Sequence, residues 1–498
     1  MDDLNRYLVL LPILVPLSGA AVGLLLRTNH RLQAWWSFGS ILTSLAFSLA
    51  MLYQVWGSAR PMVFQLGGYP APFGISLVGD LLSATMVVMS QIVLSAGILY
   101  ALDSKDQVTQ YPTFYPLFLM LAAGLTGGML TGDLFNLFVF TELLVISAAI
   151  LTAISDDKLG TEAAFKYFYI SLVAAIFLLI GTGLLYASYG TLNMAQLAQL
   201  ISVDGDGALV PMAMVFILAF FMVKSAVIPF HFWQPDFHTA APTPVHAVLS
   251  SVVVKLGIYG FFRMTTLLFV EQAPEIQSLL VVLGVTGIFF GGLGATGTYD
   301  AKRMLAYSTL GQLGFILVAI GWGTPLSLMA AIVYAFNHSL LKAAMLMLAG
   351  SVASRAPVKT AAFSAITGLG KTVPLAGVLF LLGSMGLAGI PPTNGFVSKL
   401  ALFNSGIQAQ AYLPLALLAL ASIITVVYTA RAFQKIWWEP LPEEIHPKKY
   451  GDRLIAPTIL ISLCLVLGLW GEPLLQLASA TVDWIELPAE YIQAVLGG

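Results

Sequence analysis

Charge is what this chain has least of. Only 9% of its 498 residues are Asp, Glu, Lys or Arg, and 58% are hydrophobic; soluble domains carry about 25% charged residues. So few charges would not keep a chain of this length in water, which excludes a soluble enzyme and a disordered scaffold. The formal net charge of −2 offers no positive field for phosphates and excludes a nucleic-acid binder. Cysteine is nearly absent. Cys464 stands alone in an apolar run, so internal disulfides and thiolate metal clusters are excluded. A basic N-terminal region is missing too. Asp2 and Asp3 precede the first apolar run, which therefore reads as a retained span and not a cleaved leader. What remains is a polytopic membrane protein.

A bilayer core takes about 20 apolar residues per helix. Fourteen runs qualify: 7–26, 33–56, 76–101, 112–131, 133–153, 163–189, 209–233, 243–267, 276–297, 301–322, 326–350, 372–405, 412–437 and 454–478. They read as helices, making the chain all-α, because runs such as 172–185 are almost continuously apolar whereas barrel strands alternate over about ten residues. The run at 372–405 is too long for one straight span and contains Pro391 and Pro392; the run at 209–233 has Pro229 within it and Pro235 just beyond. Both are expected to be broken helices.

The 22 Lys and Arg residues sort unevenly. Fifteen, from Arg27 to Arg453 and including Lys359, fall in the loops after odd-numbered spans; Arg6, Arg60 and Arg263 fall at the N-terminus and after even-numbered spans. The positive-inside rule then puts the odd loops in the cytoplasm and both termini outside. The remaining four are lysines inside spans: Lys224, Lys255, Lys342 and Lys399. One acid, Glu142, sits mid-span, roughly 13 Å along the helix from Asp133.

An ionised side chain at the bilayer centre costs at least about 2.5–3.5 kcal/mol, so five such groups call for a reason. One ion pair plus lysines snorkelling to an interface is the structural account. It fits poorly, because snorkelling serves residues near helix ends and Lys224 and Lys342 are mid-run. The functional account is a chain of titratable groups crossing the interior. Burial in general weakens a lysine's hold on its proton and a nearby carboxylate strengthens it, so such a group loads and releases a proton as its partner moves. His338 stands four residues before Lys342 on one helix face and reads as its relay partner, with a packing histidine as the alternative. His231, His238 and His246 gather after the 209–233 run; their irregular spacing, with only Asp236 near, does not suit a metal and leaves relay or loop packing. The G-x-G-x-x-G match at Gly292–Gly297 closes a membrane helix instead of following a strand, so it reads as helix packing, not nucleotide binding.

Four segments carry a resemblance. They are Gly132-Asp-Leu-Phe-Asn-Leu-Phe-Val-Phe-Thr-Glu142; the stretch from Lys224-Ser-Ala-Val-Ile-Pro-Phe-His through Ala-Pro-Thr-Pro-Val-His246 to Lys255; Phe336-Asn-His338-Ser-Leu-Leu-Lys342; and Gly389-Ile-Pro-Pro-Thr-Asn-Gly-Phe-Val-Ser-Lys399. Together they resemble the antiporter-like subunits of respiratory complex I and its relatives over the fourth to thirteenth spans. The resemblance implies fourteen transmembrane helices with two inverted five-helix repeats at 112–270 and 271–440, flanked by 1–111 and 441–498, with helices seven and twelve broken. It makes Glu142 and Lys224 the charge pair of a first half-channel and Lys255 its continuation toward the centre. His338 and Lys342 belong to a second half-channel, and Lys399 is its terminal lysine. Length and the segment 65–75 are most like the D-type branch of Mrp-type multisubunit cation/proton antiporters, although Gln234-Pro-Asp-Phe-His238 departs from the form expected in much of that branch. Only about twenty residues follow the last run, so neither a long lateral helix nor further spans are expected.

That branch implies proton movement coupled to sodium movement in the cell membrane, among hydrophobic partners of the Mrp A, B, C, E, F and G type and membrane lipids. The chain is then not itself an enzyme and needs no cofactor and no metal. The alternative is the proton-pumping subunit of a complex I-like NADH dehydrogenase or membrane-bound hydrogenase. The sequence shows no ligand set for haem, flavin or iron–sulfur, so under either reading the redox chemistry lies elsewhere.

Overall fold

The computed structural model describes residues 7–497 apart from 59, 205, 206, 208, 359, 444 and 445. Asp2, Asp3, Arg6 and Lys359, which bear on leader and orientation, lie outside the described residues. The chain opens with α1 (Leu11–Leu25) and α2 (His30–Ser58), then a hairpin in which β1 (Met62–Gln65) pairs antiparallel with β2 (Ser76–Gly79), Met62 opposite Gly79. The run at 76–101 is thus strand for its first four residues. Helix α3 (Leu81–Leu102) starts only where Asp80 caps it, its carboxylate accepting from Ser83 N at 2.8 Å.

There follow α4 (Phe114–Leu130), α5 (Leu134–Ala153), α6 (Lys158–Tyr189), α7 (Met194–Asp204), α8 (Val210–Lys224), α9 (Trp233–Ala240) and α10 (Thr243–Leu268), the last with π-helical turns at Leu249–Val253 and Met264–Leu268. The second half runs through α11 (Ala273–Gly297), α12 (Ala301–Trp322), α13 (Pro325–Ala353), α14 (Pro374–Ala388), α15 (Asn394–Gln408), α16 (Tyr412–Trp438), α17 (Ile455–Leu469), α18 (Glu472–Ile485) and α19 (Pro488–Leu496). Each of the fourteen apolar runs holds a helix. Among the described residues nine helices are long and apolar enough to cross a membrane, or eleven if each of two bent pairs is one span. The chain is a polytopic helical membrane protein. A second run differs from expectation: 454–478 is not a single straight helix, since α18 leaves α17 at 78°. Gly471 stands at that corner and a proline in the first turn of α18 starts a new helix.

Helix α13 is the centre of the molecule. It is buried from Ala330 to Ala353 and touches α3, α10, α12, α14, α15, α17 and α18. Beside it, α11 and α12 meet along bare backbone: a Cβ on Gly291 would lie 2.3 Å from Gly311 N. The G-x-G-x-x-G match ends this seam, with Gly294 against the Tyr307 ring. Glycines there let two helices approach closely, the arrangement membrane helices use in place of a hydrophobic driving force.

Two helix starts repeat one pattern. Thr131 Oγ1 accepts from Asp133 N at 3.2 Å and Asp133 caps α5 through Asn136 N; Thr298 Oγ1 accepts from Asp300 N at 3.3 Å and Asp300 caps α12 through Arg303 N. Each cap is crossed by a later segment, Asp133 by Asn193 and Asp300 by Ala362.

Arg263 is not the loop residue the sequence suggests. It ends a helical stretch of α10, is 4% exposed, and pairs with Asp80 at 2.6 Å. Its Nε donates to Tyr259 Oη at 2.9 Å, and its guanidinium lies over the rings of Tyr259 and Tyr491. A buried guanidinium needs this much company, and the cluster ties α3, α10 and α19 together. Removing one member of such a pair typically costs about 3–5 kcal/mol, whereas replacing both by apolar groups is often neutral. Asp80→Ala is therefore expected to lower the unfolding temperature of the purified complex in detergent, and Asp80→Leu combined with Arg263→Met to recover most of the loss. Equal stability of Asp80→Ala and wild type would show that the pair does not hold these helices.

Candidate functional site

The site begins where α8 stops. Lys224 is the last residue of α8, and the chain runs without regular helix through Pro229 before α9 starts at Trp233. Lys224, expected mid-helix, is thus at a helix end, but that end lies inside the molecule and the side chain is buried. Its Nζ has no hydrogen-bond partner and sits 5.5 Å from the centre of the Phe220 ring. Glu142 lies two turns into α5, half-buried, on the side that exposes Phe135, Val139, Ile146 and Ile150. Its Oε1 is enclosed and also without a partner. The two charges act on each other through space but close no ion pair. The structure sets them near one another without the contact expected of a charge pair.

Further in, the groups touch. Lys255 follows the first π-helical turn of α10, is fully buried, and its Nζ is 2.6 Å from His338 Nδ1. One proton is shared across that contact, held by the amine or by the ring. His338 stands one turn from Lys342 on α13, as expected, yet its bonded partner is Lys255 from another helix. Lys342 Nζ donates instead to Leu305 O at 3.1 Å and Ser308 Oγ at 2.8 Å on α12. Lys342 is fully buried, and no carboxylate among the described residues bonds it.

The second break separates α14 from α15, with Pro391 and Pro392 between them. Lys399 lies in the second turn of α15, but its side chain reaches back to the break. Nζ donates to Ala388 O, the last carbonyl of α14, at 2.9 Å and to Ser422 Oγ at 3.0 Å, over the Phe315 ring. Two glycines make this possible. Gly389 has φ +83°, and a Cβ there would lie 2.4 Å from Lys399 Cδ; a Cβ on Gly395 would lie 1.8 Å from Gly386 O. Beside His338 is a small cavity of about 10 Å³, bordered by Gln312, Tyr334, Asn337, His338 and Ser398. Asn337 Nδ2 donates to Ser398 Oγ at 2.7 Å and to Asn394 O at 3.0 Å, fastening α13 to the start of α15.

The remaining histidines make no hydrogen bond to this line, although His238 and His246 lie near enough to act on Lys342 through space. His238 Nδ1 is 2.7 Å from Gln234 Nε2, and its ring is 5.7 Å from that of His246. His231 meets Phe290 edge to face. Asp236 is held by Lys166 at 3.2 Å and Arg303 at 2.9 Å and does not join them. Among the described residues no group of three or more His, Cys, Asp or Glu could hold a metal ion.

The sequence does not single out the hydroxyls and amides that surround the lysines, Ser308, Gln312, Tyr334, Ser422 and Tyr428, because single polar residues in apolar helices look unremarkable one at a time. Nor does it single out Asp452. This buried carboxylate accepts from Tyr100 Oη and Lys105 N, each at 2.7 Å, while its own amide donates to Ser354 Oγ at 2.9 Å, joining the ends of α3 and α13.

The chain has counterparts among known proteins. The family described as "NADH:quinone oxidoreductase/Mrp antiporter, TM" matches residues 131–425. The D-type subunit of the Na(+)/H(+) antiporter of Alkalihalophilus pseudofirmus is 33% identical over 98% of this chain and 99% of its own. The N-type subunit of the NADH-quinone oxidoreductase of Desulforudis audaxviator is 34% identical over 94% and 95%. In the structure of the Mrp complex from Dietzia sp. DQ12-45-1b, one chain superposes with a TM-score of 0.91 at 28% identity, covering 99% of this chain and 100% of that one. With the match spanning both broken helices and every buried lysine, the chain belongs to the membrane-subunit family shared by NADH:quinone oxidoreductases and Mrp antiporters.

Proposed function

We propose that this chain is the D-type subunit of an Mrp-type multisubunit Na+/H+ antiporter and carries its protons. The carrying observation is the linked Lys255–His338 contact, flanked by Lys342 and by lysines at the two helix breaks, all enclosed and none bonded by a carboxylate among the described residues. Such a line does nothing for folding that apolar side chains would not do at lower cost. It does allow a proton to be received, held and passed on. Full-length similarity to a D-type antiporter subunit supports this choice of complex. The similarity to an N-type oxidoreductase subunit supports the second reading, a proton pump driven by electron transfer in partner subunits. Purification of the intact complex separates them: small hydrophobic subunits alone favour the antiporter, and iron–sulfur subunits favour the redox pump.

In this reading the chain crosses the cell membrane fourteen times with both termini outside the cytoplasm. The repeated Thr-x-Asp caps at Asp133 and Asp300 support two inverted repeats at 112–270 and 271–440, since one follows an even-numbered span and the other an odd-numbered one. Glu142 and Lys224 form the outer station of the first repeat, and Lys255 carries the proton inward. His338 and Lys342 receive it, and Lys399 is the last station. Partners are other Mrp-type membrane subunits.

Three outcomes test these assignments in inverted membrane vesicles carrying the whole complex. Glu142→Ala is expected to abolish sodium-dependent proton movement while the complex still assembles, with Glu142→Asp keeping part of it. Near-normal transport by Glu142→Ala would remove Glu142 from the path. Lys399→Arg is expected to fail as Lys399→Ala does, because arginine keeps the charge but does not release its proton; full activity would make Lys399 an electrostatic fixture. Sodium favours several oxygen ligands, and Glu142 is the sole mid-span carboxylate, so the sodium path is expected to lie partly or wholly in other subunits. A sodium ion resolved on Glu142 and backbone carbonyls would overturn that.

A further inference from the structure

The sequence leaves the step between Lys342 and Lys399 to those lysines and His338. The structure places a third element beside both. On α16, Ser422 Oγ accepts from Lys399 Nζ at 3.0 Å. On the same helix, the Tyr428 hydroxyl is bonded to Ser308 Oγ at 2.7 Å, and Ser308 Oγ accepts from Lys342 Nζ at 2.8 Å. Ser422 and Tyr428 are six residues apart, about 9 Å along the axis, and Thr425 stands between them, buried and next to the Tyr428 hydroxyl. Serine and threonine inside membrane helices usually donate to their own backbone one turn back, as Thr425 does to Ala421 O and Ser422 to Leu418 O. Ser308 does not. Both its bonds go to side chains, one to the amine and one to the phenol.

We infer that the hydroxyl face of α16 is a proton path joining Lys342 to Lys399. This rests on the reading of the chain as a proton-translocating subunit. The Lys342 ammonium gives a proton to Ser308 Oγ as Ser308 passes its own to Tyr428. Tyr428 passes its phenolic proton to Thr425, and the chain ends with Ser422 protonating the Lys399 amine. Lys342 is left neutral, Lys399 becomes charged, and each hydroxyl regains a proton. Two links are not hydrogen-bonded in place, Tyr428 to Thr425, whose hydroxyl is turned to Ala421 O, and Thr425 to Ser422 one helical turn away; they close when those hydroxyls swing from their carbonyls or when a water spans them. The competing route runs through the cavity bordered by His338, Asn337 and Ser398.

Tyr428→Phe keeps the ring and removes the hydroxyl, and Ser308→Thr keeps a hydroxyl where Ser308→Ala removes it. In vesicles carrying the assembled complex, Tyr428→Phe and Ser308→Ala are each expected to lower the antiport rate by at least about tenfold, a threshold set below the roughly hundredfold or more that a positioned proton-transfer group typically contributes. Ser308→Thr should stay close to wild type, which a purely spatial role would not explain. Smaller losses for Tyr428→Phe, combined with a large loss for Ser398→Ala, would assign the step to the cavity and overturn the inference. If Tyr428→Phe does not assemble, Ser308→Ala carries the same criterion. A wild-type complex that moves no protons would sink the functional reading itself, and this inference with it.

Discussion

An amine enclosed in protein needs lone pairs, and in this molecule they come from sources other than acids. Charged groups removed from water cost several kcal/mol each unless partners offset the loss. A carboxylate would offset it best and would also fix the proton in place. Here Lys399 has a carbonyl and a serine, Lys342 has a carbonyl and a serine, and Lys255 has an imidazole. These partners hold a proton weakly enough for it to leave. Contrast Arg263, whose carboxylate, phenol and two aromatic faces are suited to a charge that never moves.

The broken helices follow from the same need. A continuous helix uses its own carbonyls, whereas the last turn of a helix leaves four without intrahelical partners. Ending α14 at Ala388 inside the protein frees the carbonyl that meets Lys399. Prolines 391 and 392 prevent the helix from running on, and the bare backbone at Gly389 and Gly395 gives the lysine room to fold back. Each feature makes sense only with the others. A straight α14–α15 helix would present Lys399 with no free carbonyl, and a side chain at position 395 would drive the two halves apart.

Much of this is legible in the sequence. Long apolar runs give membrane helices directly, prolines in over-long runs mark the breaks, and a lysine in such a run is conspicuous because it is expensive. What is not legible is who meets whom. The i, i+4 spacing of His338 and Lys342 suggests a local pair, but the helix-face rule sees only one helix, and Lys255 comes from 83 residues away. Arg263 counts as a loop residue in the sequence because its acid partner, Asp80, lies beyond other spans. The strand at Ser76–Gly79 is hidden in an apolar run because four buried strand residues and one helical turn have the same composition.

The two halves differ in a way that gives the path a direction of difficulty. In the first half, Glu142 and Lys224 are opposite charges held apart, each with an unpartnered atom. Bringing them together stabilises both charges and holds the proton on the lysine; separating them lets it go. That half can therefore be driven by a small displacement at the α8–α9 break, where the chain is not held by helix hydrogen bonds. In the second half no acid among the described residues bonds Lys342 or Lys399, and Ser308, Ser422 and Tyr428 are already hydrogen-bonded. Nothing there gains or loses much by a displacement of a helix, so in the proposed reading a proton crosses it by passing along side chains that only turn where they stand. The first half is built to be moved, and the second to conduct.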